Sequence, residues 1–400
     1  MKYIVILCDG MADEPLEILD GKTPIEAACT ENTDRLARDA EIGMVRTVPE
    51  GMAPGSDTAN LSVIGYDPKK YYSGRSPLEA LSIGAEMSDE DVSFRCNLVT
   101  LSEEETDYKD RVIVDHSSGE IPTEEAAELL DALKSGLKRE GYTFYAGTSY
   151  RHLLIWKGGR TMDLTAPHDI LTKRIGDYLP QDEVLRDMMV KSYDILKDHP
   201  INKKRRAEGK NPANSAWFWG AGTRPAHTSF EEKNGVKGAM ISAVDLLKGI
   251  AVGARMHNII VEGANGGLHT NYSGKADAAI KALTEDGYDF VYVHIEAPDE
   301  MGHQGSVEDK IKAIEYIDEK IIGPVTEALR NAGTDFRMLI LPDHPTPIRV
   351  RTHTSDPVPY LLYDSTKEVK GAGIYSEKAG RESGRYIDEG HRLMEYFIQS

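Results

Sequence analysis

Asp289-Phe-Val-Tyr-Val-His-Ile-Glu296 is a strand-length, largely apolar run that passes directly into Ala297-Pro298-Asp299. A run of this kind fits a strand buried on both faces of a parallel sheet covered by helices. The same grammar opens the chain, where Tyr3-Ile-Val-Ile-Leu-Cys8 stops at Asp9-Gly10. It returns where Phe336-Arg-Met-Leu-Ile-Leu341 stops at Pro342-Asp343-His344. Between the last two segments, residues 306–331 have helical spacing, with Ile311, Ile314, Ile317 and Ile321 on one stripe. Strand, helix, strand, each strand closing on an aspartate, predicts an α/β sheet.

The middle of the chain reads differently. Short alternating segments (Val92 to Leu101, Arg111 to Val114, Tyr142 to Tyr145, His152 to Trp156) surround a helix expected from about Thr123 to Glu140. Thr123 is the expected N-cap, ahead of an acidic first turn. The prediction is a small α+β unit at 92–190 inserted into a larger α/β domain formed by 1–91 and 191–400. Residues 181–213 are polar and end in Lys203-Lys-Arg-Arg206, which reads as a return connection with a solvated face.

Composition removes several classes of function. The 400 residues carry 47 Lys plus Arg against 66 Asp plus Glu, a formal charge of −19, so no nucleic-acid backbone partner is expected. With 40% hydrophobic residues the chain can bury a sizeable core. Its longest apolar runs are far short of the roughly 20 residues of a spanning helix, so no membrane partner is expected. The first ten residues reach Asp9 before a signal-peptide core can form. Cys8, Cys29 and Cys96 are sparse and lack metal-type spacing, which suits a reducing cytoplasm.

In an open α/β sheet ligands bind beyond the carboxyl ends of the strands, so Asp9, Asp299 and Asp343 are expected in one crevice. Histidines accompany them. Asp299 and His303 are four apart, on one face if a helix starts there. His344 adjoins Asp343, and His353 follows in Arg351-Thr-His-Thr-Ser-Asp-Pro357. Three carboxylates and three imidazoles suit two divalent ions of the manganese or zinc type, and not calcium or a cysteine-built structural zinc site. A single strand-end aspartate is ordinarily a turn or a cap; the joint pattern is what points to ions.

A second signal is Ala53-Pro-Gly-Ser56-Asp-Thr-Ala-Asn60 ahead of the apolar Leu61-Ser-Val-Ile64. Pro-Gly gives a tight turn and puts Ser56 at the start of a helix. Two readings stand at this point: a serine N-cap, or a nucleophile beside metal whose phosphoryl ester is held by the helix N-terminus.

With these residues in hand, the chain resembles the archaeal-type cofactor-independent phosphoglycerate mutases of the alkaline phosphatase superfamily. The matching stretches include Ile6-Leu-Cys-Asp-Gly10, Gly21-Lys-Thr-Pro24, Pro54-Gly-Ser-Asp-Thr-Ala59 and Gly65-Tyr-Asp-Pro-Lys-Lys-Tyr-Tyr-Ser-Gly-Arg75. They continue through Asn271-Tyr-Ser-Gly-Lys275, Ala297-Pro-Asp-Glu-Met-Gly-His303, Pro342-Asp-His344 and Arg351-Thr-His353, spanning nearly the whole chain. The resemblance implies an alkaline-phosphatase-like core with a mainly parallel sheet flanked by helices, and a cap formed by 92–190 over the metal crevice. It also implies a nucleophilic Ser56 and two metal sites, one of Asp9, Ser56, Asp343 and His344, the other of Asp299, His303 and His353. Manganese is the first choice of ion, with zinc, cobalt or magnesium as alternatives, and 2,3-bisphosphoglycerate is not required.

The implied reaction interconverts 3- and 2-phosphoglycerate through a phosphoserine. Such a transfer needs cationic clamps for phosphate and carboxylate, which arginine supplies bidentately. Arg75, Arg151 and Arg224 are the candidates, with Lys275 as a point charge beside the phosphate and His116 as an acid–base or hydroxyl-positioning group. Two other readings share the nucleophile and metals: a metal-dependent phosphatase, and a homoserine kinase-like phosphotransferase of the kind proposed for a similar bacterial branch. A Walker-type kinase is excluded, because His269 stands where its first glycine is required and Ala276 where Ser or Thr is required.

Overall fold

The structure is a computed structural model of the chain and describes residues 1–225 and 228–399. Its strands in chain order are β1 (Lys2–Cys8), β2 (Ala40–Val45), β3 (Val92–Leu101), β4 (Ile113–Asp115), β5 (Tyr142–Tyr145), β6 (Arg151–Trp156) and β7 (Ser215–Thr223). There follow β8 (Gly238–Ile241), β9 (His257–Ile259), β10 (Phe290–Ile295), β11 (Phe336–Leu341), β12 (Val358–Asp364) and β13 (Tyr386–Ile387). The chain forms two compact units, Met1–Tyr72 with His227–Ser400, and Ser73–Ala226.

The larger unit is built on an eight-stranded sheet in the order β13-β2-β12-β11-β1-β10-β8-β9. β11, β1, β10, β8 and β9 run parallel; β12 is antiparallel to both of its neighbours. β1 lies between β10 and β11, with Leu7 opposite both His294 and Leu341. Every residue of β10 and β11 is buried, as the largely apolar runs predict. Ile4, Ile6, Val291, Val293, Met338 and Ile340 share one core with Ala276, Ala279 and Leu283 of the helix Tyr272–Thr284. Each large side chain so buried contributes roughly 1.5–3 kcal/mol against exposure. The expected α/β class with a mainly parallel, helix-flanked sheet is therefore the observed one.

The expected helix at 306–331 is present in three parts: α-helical Val307–Ile317, a π-helical turn at Asp318–Ile322, and α-helical Gly323–Asn331. Asp318 accounts for the change. Its buried carboxylate accepts from the Thr33 hydroxyl and N–H and from the Asn32 N–H, and the wider turn brings Asp318, Ile321 and Ile322 inward together.

The smaller unit is an antiparallel sheet, with β4-β3-β6-β5 in sequence and β7 also paired to β3. Phe94, Cys96, Leu98, Leu154, Trp217 and Phe218 form its core with the helices Thr123–Gly136 and Glu183–Leu196. This compact unit extends beyond 92–190 at both ends. β7 pairs with β3 from Val92–Thr223 to Val99–Ser215. The helix Arg75–Ser82 joins it too, because Ser76 Oγ donates to the Ser93 and Gly220 carbonyls.

Three local expectations are corrected here. Thr123 is the first helical residue and not the cap; Pro122 holds that position, and Thr123 Oγ1 accepts from Ser149 N–H instead. The helix ends at Gly136. Residues 181–213, read as a polar return connection with a solvated face, contain two helices, Glu183–Leu196 and Pro200–Ala207. Leu185, Met188, Met189 and Leu196 make a buried stripe, and Ser192 Oγ ties the first helix to β7 through Ala216 N–H. Lys203 and Lys204 are solvated, but Arg205 is buried, donating to Glu125, the Ser118 carbonyl and the Asn211 carbonyl. Among the described residues no helix is long and apolar enough to cross a membrane.

Candidate active site

The order β11-β1-β10 sets the carboxyl ends of three parallel strands side by side, and each supplies ligand-type residues. Asp9 follows β1 directly. Gly10 then turns with φ +61°; a side chain there would collide with the Asp299 backbone and Thr346, so glycine permits the close approach. Asp299 and His303 lie one turn apart on the helix Ala297–Gln304, entered through Pro298 after β10. Asp343 and His344 follow β11, and His353 comes from the same connection to β12.

Ser56 is the first residue of the helix Ser56–Val63, behind Gly55 as N-cap. Its hydroxyl is not a helix cap. Ser56 Oγ lies 3.1 Å from His344 Nε2 and 3.4 Å from Asp9 Oδ2. Gly55 thus holds the cap position that one of the two readings gave to Ser56.

All seven expected ligand positions are in the larger unit, and five of them gather into two overlapping groups. Asp9, Asp343 and His344 form one, and Asp299, His344 and His353 the other. His344 Nε2 is 3.4 Å from Asp343 Oδ2 and 3.6 Å from Asp9 Oδ1. In the second group Asp299 is 3.2 Å from His303 Nε2 and 3.4 Å from His353 Nε2, and those two nitrogens are 3.0 Å apart. His303 Nδ1 is bonded to the Arg351 carbonyl at 3.0 Å, which turns Nε2 toward the group. His344 thus stands between the groups, where the resemblance had assigned it to one.

The electrostatics favour a cation here. Burial, and then the Asp343 and Asp299 carboxylates, raise Asp9 well above the usual carboxylate range. Burial also raises Asp299, but hydrogen bonds with His303 and His353 outweigh it and hold that carboxyl low. The same hydrogen bond lifts His303 to about 9. Asp9 Oδ1 is a buried oxygen without a hydrogen-bond partner. Three carboxylates, three imidazoles and an orphaned carboxylate oxygen fit a divalent cation.

Lys275 is fully buried on the helix Tyr272–Thr284, and its Nζ donates to the His294 carbonyl at 2.8 Å. Burial lowers it to about 8. Close by in the chain, burial raises Glu296 to about 7. Several supporting side chains were not singled out from the sequence. Asn60, one turn after Ser56, donates to Asp343 Oδ2 at 2.8 Å. Thr346 Oγ1 donates to Asp299, and His294 Nε2 is 2.9 Å from Asp9 Oδ2. Lys310 Nζ joins Asp13 Oδ2 and the Thr346 carbonyl, each at 2.8 Å. The available signal was a polar residue inside an apolar run, as at His294, or at i+4 from Ser56, as at Asn60.

Arg75, His116, Arg151 and Arg224 are all in the smaller unit, and three of them lie along one strip of contacts. Arg75 and Arg95 share Glu79, at 3.2 and 3.0 Å, and Arg95 lies 4.4 Å from the Trp219 ring centroid. His168 bridges Trp219 and His116 at centroid distances of 5.3 and 6.0 Å. His116 packs edge-on against Tyr150, over which Arg151 lies at 5.1 Å. Arg224 stands apart, donating to the Met87 carbonyl at 3.4 Å. Arg95, His168 and Trp219 were not picked out beforehand.

Fold and site together define a class: an α/β protein in which cation-type donors and a helix-N-terminal serine meet beyond three adjacent parallel strands. A family model described as 2,3-bisphosphoglycerate-independent phosphoglycerate mutase matches residues 37–202. A protein of Geobacter sulfurreducens, named as a probable mutase of that kind, is 48% identical across the whole of both chains. A mutase of Methanothrix thermoacetophila is 46% identical, again over both full lengths. Among solved structures, a Pyrococcus horikoshii protein is similar at TM-score 0.81 and 30% identity, covering 100% of this chain and 97% of that one. The cofactor-independent phosphoglycerate mutase of Thermoplasma acidophilum gives TM-score 0.70 and 29% identity, over 100% and 99% of the two chains. The chain belongs to the 2,3-bisphosphoglycerate-independent phosphoglycerate mutase family. The Geobacter, Methanothrix and Thermoplasma relatives carry mutase names, which does not favour the kinase alternative.

Proposed function

We propose that this chain is a metal-dependent phosphoglycerate mutase acting in the cytoplasm, interconverting 3- and 2-phosphoglycerate through a phosphoserine on Ser56. The observation that carries the reading is the Ser56 hydroxyl, free of capping and 3.1 Å from an imidazole shared by both donor groups. Asp9, Ser56, Asp343 and His344 would hold one divalent ion and Asp299, His303 and His353 a second, manganese first, with zinc, cobalt or magnesium as alternatives. Such ions, when bound, supply Lewis-acid charge for the serine oxygen and the phosphoryl group.

Ser56 Oγ gives up its proton and attacks phosphorus, the bond from phosphorus to the glycerate oxygen breaks, and the departing oxygen takes up a proton. The other glycerate hydroxyl then gives up its proton and attacks the phosphoserine, and the departing Ser56 Oγ takes a proton back. The start of the helix Ser56–Val63 favours the transferring phosphoryl anion. Lys275, lowered to about 8, is assigned to the phosphate as a point charge. Within the smaller unit we assign substrate contact to Arg75, Arg151 and Arg224, and proton transfer or hydroxyl positioning to His116. Contact along the strip from Arg75 to Arg151 supports joint action of three of these.

The purified protein is offered 3-phosphoglycerate in one reaction and homoserine with ATP in another. Formation of 2-phosphoglycerate in the first is expected. Turnover confined to the second overturns the reading in favour of a kinase, and release of inorganic phosphate alone in the first would favour a phosphatase.

A further inference from the structure

Tyr292 and His294 are two residues apart on β10 and so face the same side of the sheet. Each leads to a different carboxylate of the group formed by Asp9, Asp343 and His344. His294 Nδ1 lies 3.3 Å from Ser242 Oγ, and that hydroxyl already accepts from Val244 N–H at 3.0 Å. Asp9 Oδ2, 2.9 Å from Nε2, is a carboxylate oxygen that only accepts, which places the imidazole hydrogen on Nε2 and leaves Nδ1 to accept from the Ser242 hydroxyl. In the other arm the Tyr292 hydroxyl donates to Asn60 Oδ1 at 2.7 Å. That fixes the amide, whose Nδ2 donates to Asp343 Oδ2 and to the Ser56 carbonyl, both at 2.8 Å. All of these side chains are buried.

The arms are selective between oxygens. Asp343 Oδ1 takes the N–H groups of Gly10 and His344, and Oδ2 takes Asn60. Asp9 Oδ2 takes His294, while Oδ1 has no hydrogen-bond partner. A buried carboxylate with one oxygen held and the other orphaned has its orientation set before any ligand arrives.

We propose that His294 and Tyr292 are positioning residues, two arms of one strand that lock Asp9 and Asp343 so that Asp9 Oδ1 is presented to a divalent cation. The proposal rests on the metal reading given above. Neither residue touches substrate in it. Ser242 acts one step further back, by holding the other ring nitrogen of His294, and Asn60 links the Tyr292 arm to both Asp343 and the Ser56 backbone.

The test is calorimetric titration of Mn²⁺ into the chelator-stripped full-length protein, as wild type, His294→Ala, His294→Gln and Tyr292→Phe. Glutamine can return an N–H donor to Asp9, and phenylalanine removes one hydroxyl without changing shape. The expected result is binding to the Asp9 group weakened about 10- to 100-fold by His294→Ala and largely restored by His294→Gln. Tyr292→Phe should give a several-fold loss, with uptake at the Asp299 group unchanged in every variant. A His294→Ala protein within twofold of wild type, or a His294→Gln protein as weak as His294→Ala, overturns the positioning role alone. A wild-type protein that takes up no ion overturns both the positioning role and the metal reading.

Discussion

Lys310→Met should destabilise the larger unit by about 3–5 kcal/mol, the range for removing one partner of a buried ion pair. Both side chains of the Lys310–Asp13 pair are wholly inaccessible, with Nζ and Oδ2 2.8 Å apart. The ammonium also donates to the Thr346 carbonyl at 2.8 Å and the Ala12 carbonyl at 3.3 Å. Methionine keeps the length of the side chain and fills the space, so the cost comes from polar groups left behind. Asp13 would retain only the N–H groups of Glu14 and Ile348, with the buried Glu377 carboxyl bonded to its own N–H. At roughly 2–4 °C per kcal/mol for a unit of this size, the thermal midpoint should fall by about 10 °C. Guanidinium unfolding followed by circular dichroism measures the free energy directly. The double variant Asp13→Asn, Lys310→Met removes both charges and should be less costly than the sum of the single changes by about 2 kcal/mol or more. A single variant within about 1 kcal/mol of wild type, or strictly additive changes, would refute the reasoning. Because Lys310 holds loops that follow both Asp9 and His344, Mn²⁺ binding should weaken in the same variant.

Ser56→Ala should lower phosphoryl transfer by about 10⁴-fold or more while leaving the circular dichroism spectrum unchanged; retained turnover removes Ser56 as nucleophile. Exhaustive chelation should abolish activity and Mn²⁺ should restore it, whereas full activity in the stripped protein would sink the metal assignment. Burial lowers His152 to about 4, and its Nε2 has no hydrogen-bond partner. The unfolded chain binds this proton more readily, so stability is fully present above pH 6.5 and is lost as pH falls toward 4, by about 3 kcal/mol. His152→Asn should flatten that part of the pH profile, and parallel unfolding curves for the two proteins would contradict it.

The strands β1, β10 and β11 were legible because burial on both faces forces a largely apolar run that ends where charged residues begin. Asp9, Asp299, His303, Asp343 and His344 were legible because they lie within a few residues of those ends. The supporting set was harder to see. His294 and Tyr292 occupy interior strand positions, where a polar side chain is indistinguishable in sequence from a residue satisfied locally. Lys310 sits in a helix whose pattern predicts a solvated lysine, and only the tertiary fold shows Asp13 beneath it. The pairing of β7 with β3 was not legible, because the two are separated by more than a hundred residues and strand pairing at that distance leaves no local trace. Arg205 belongs to a basic run whose other lysines are solvated, so composition could not single it out.

The placement of β1 between β10 and β11 has a consequence for how the protein comes into being. The strand β1 leads into one carboxylate of the site, but both of its sheet neighbours come far later in the chain. Asp9 can meet Asp343 in the finished site only after β10 and β11 have been made and the central strand has been flanked from both sides. Such distant pairing belongs to the slow part of folding. Ion uptake by a nascent chain would therefore report completion of the central sheet, and chains truncated before β11 should fail to acquire it however well the smaller unit has formed.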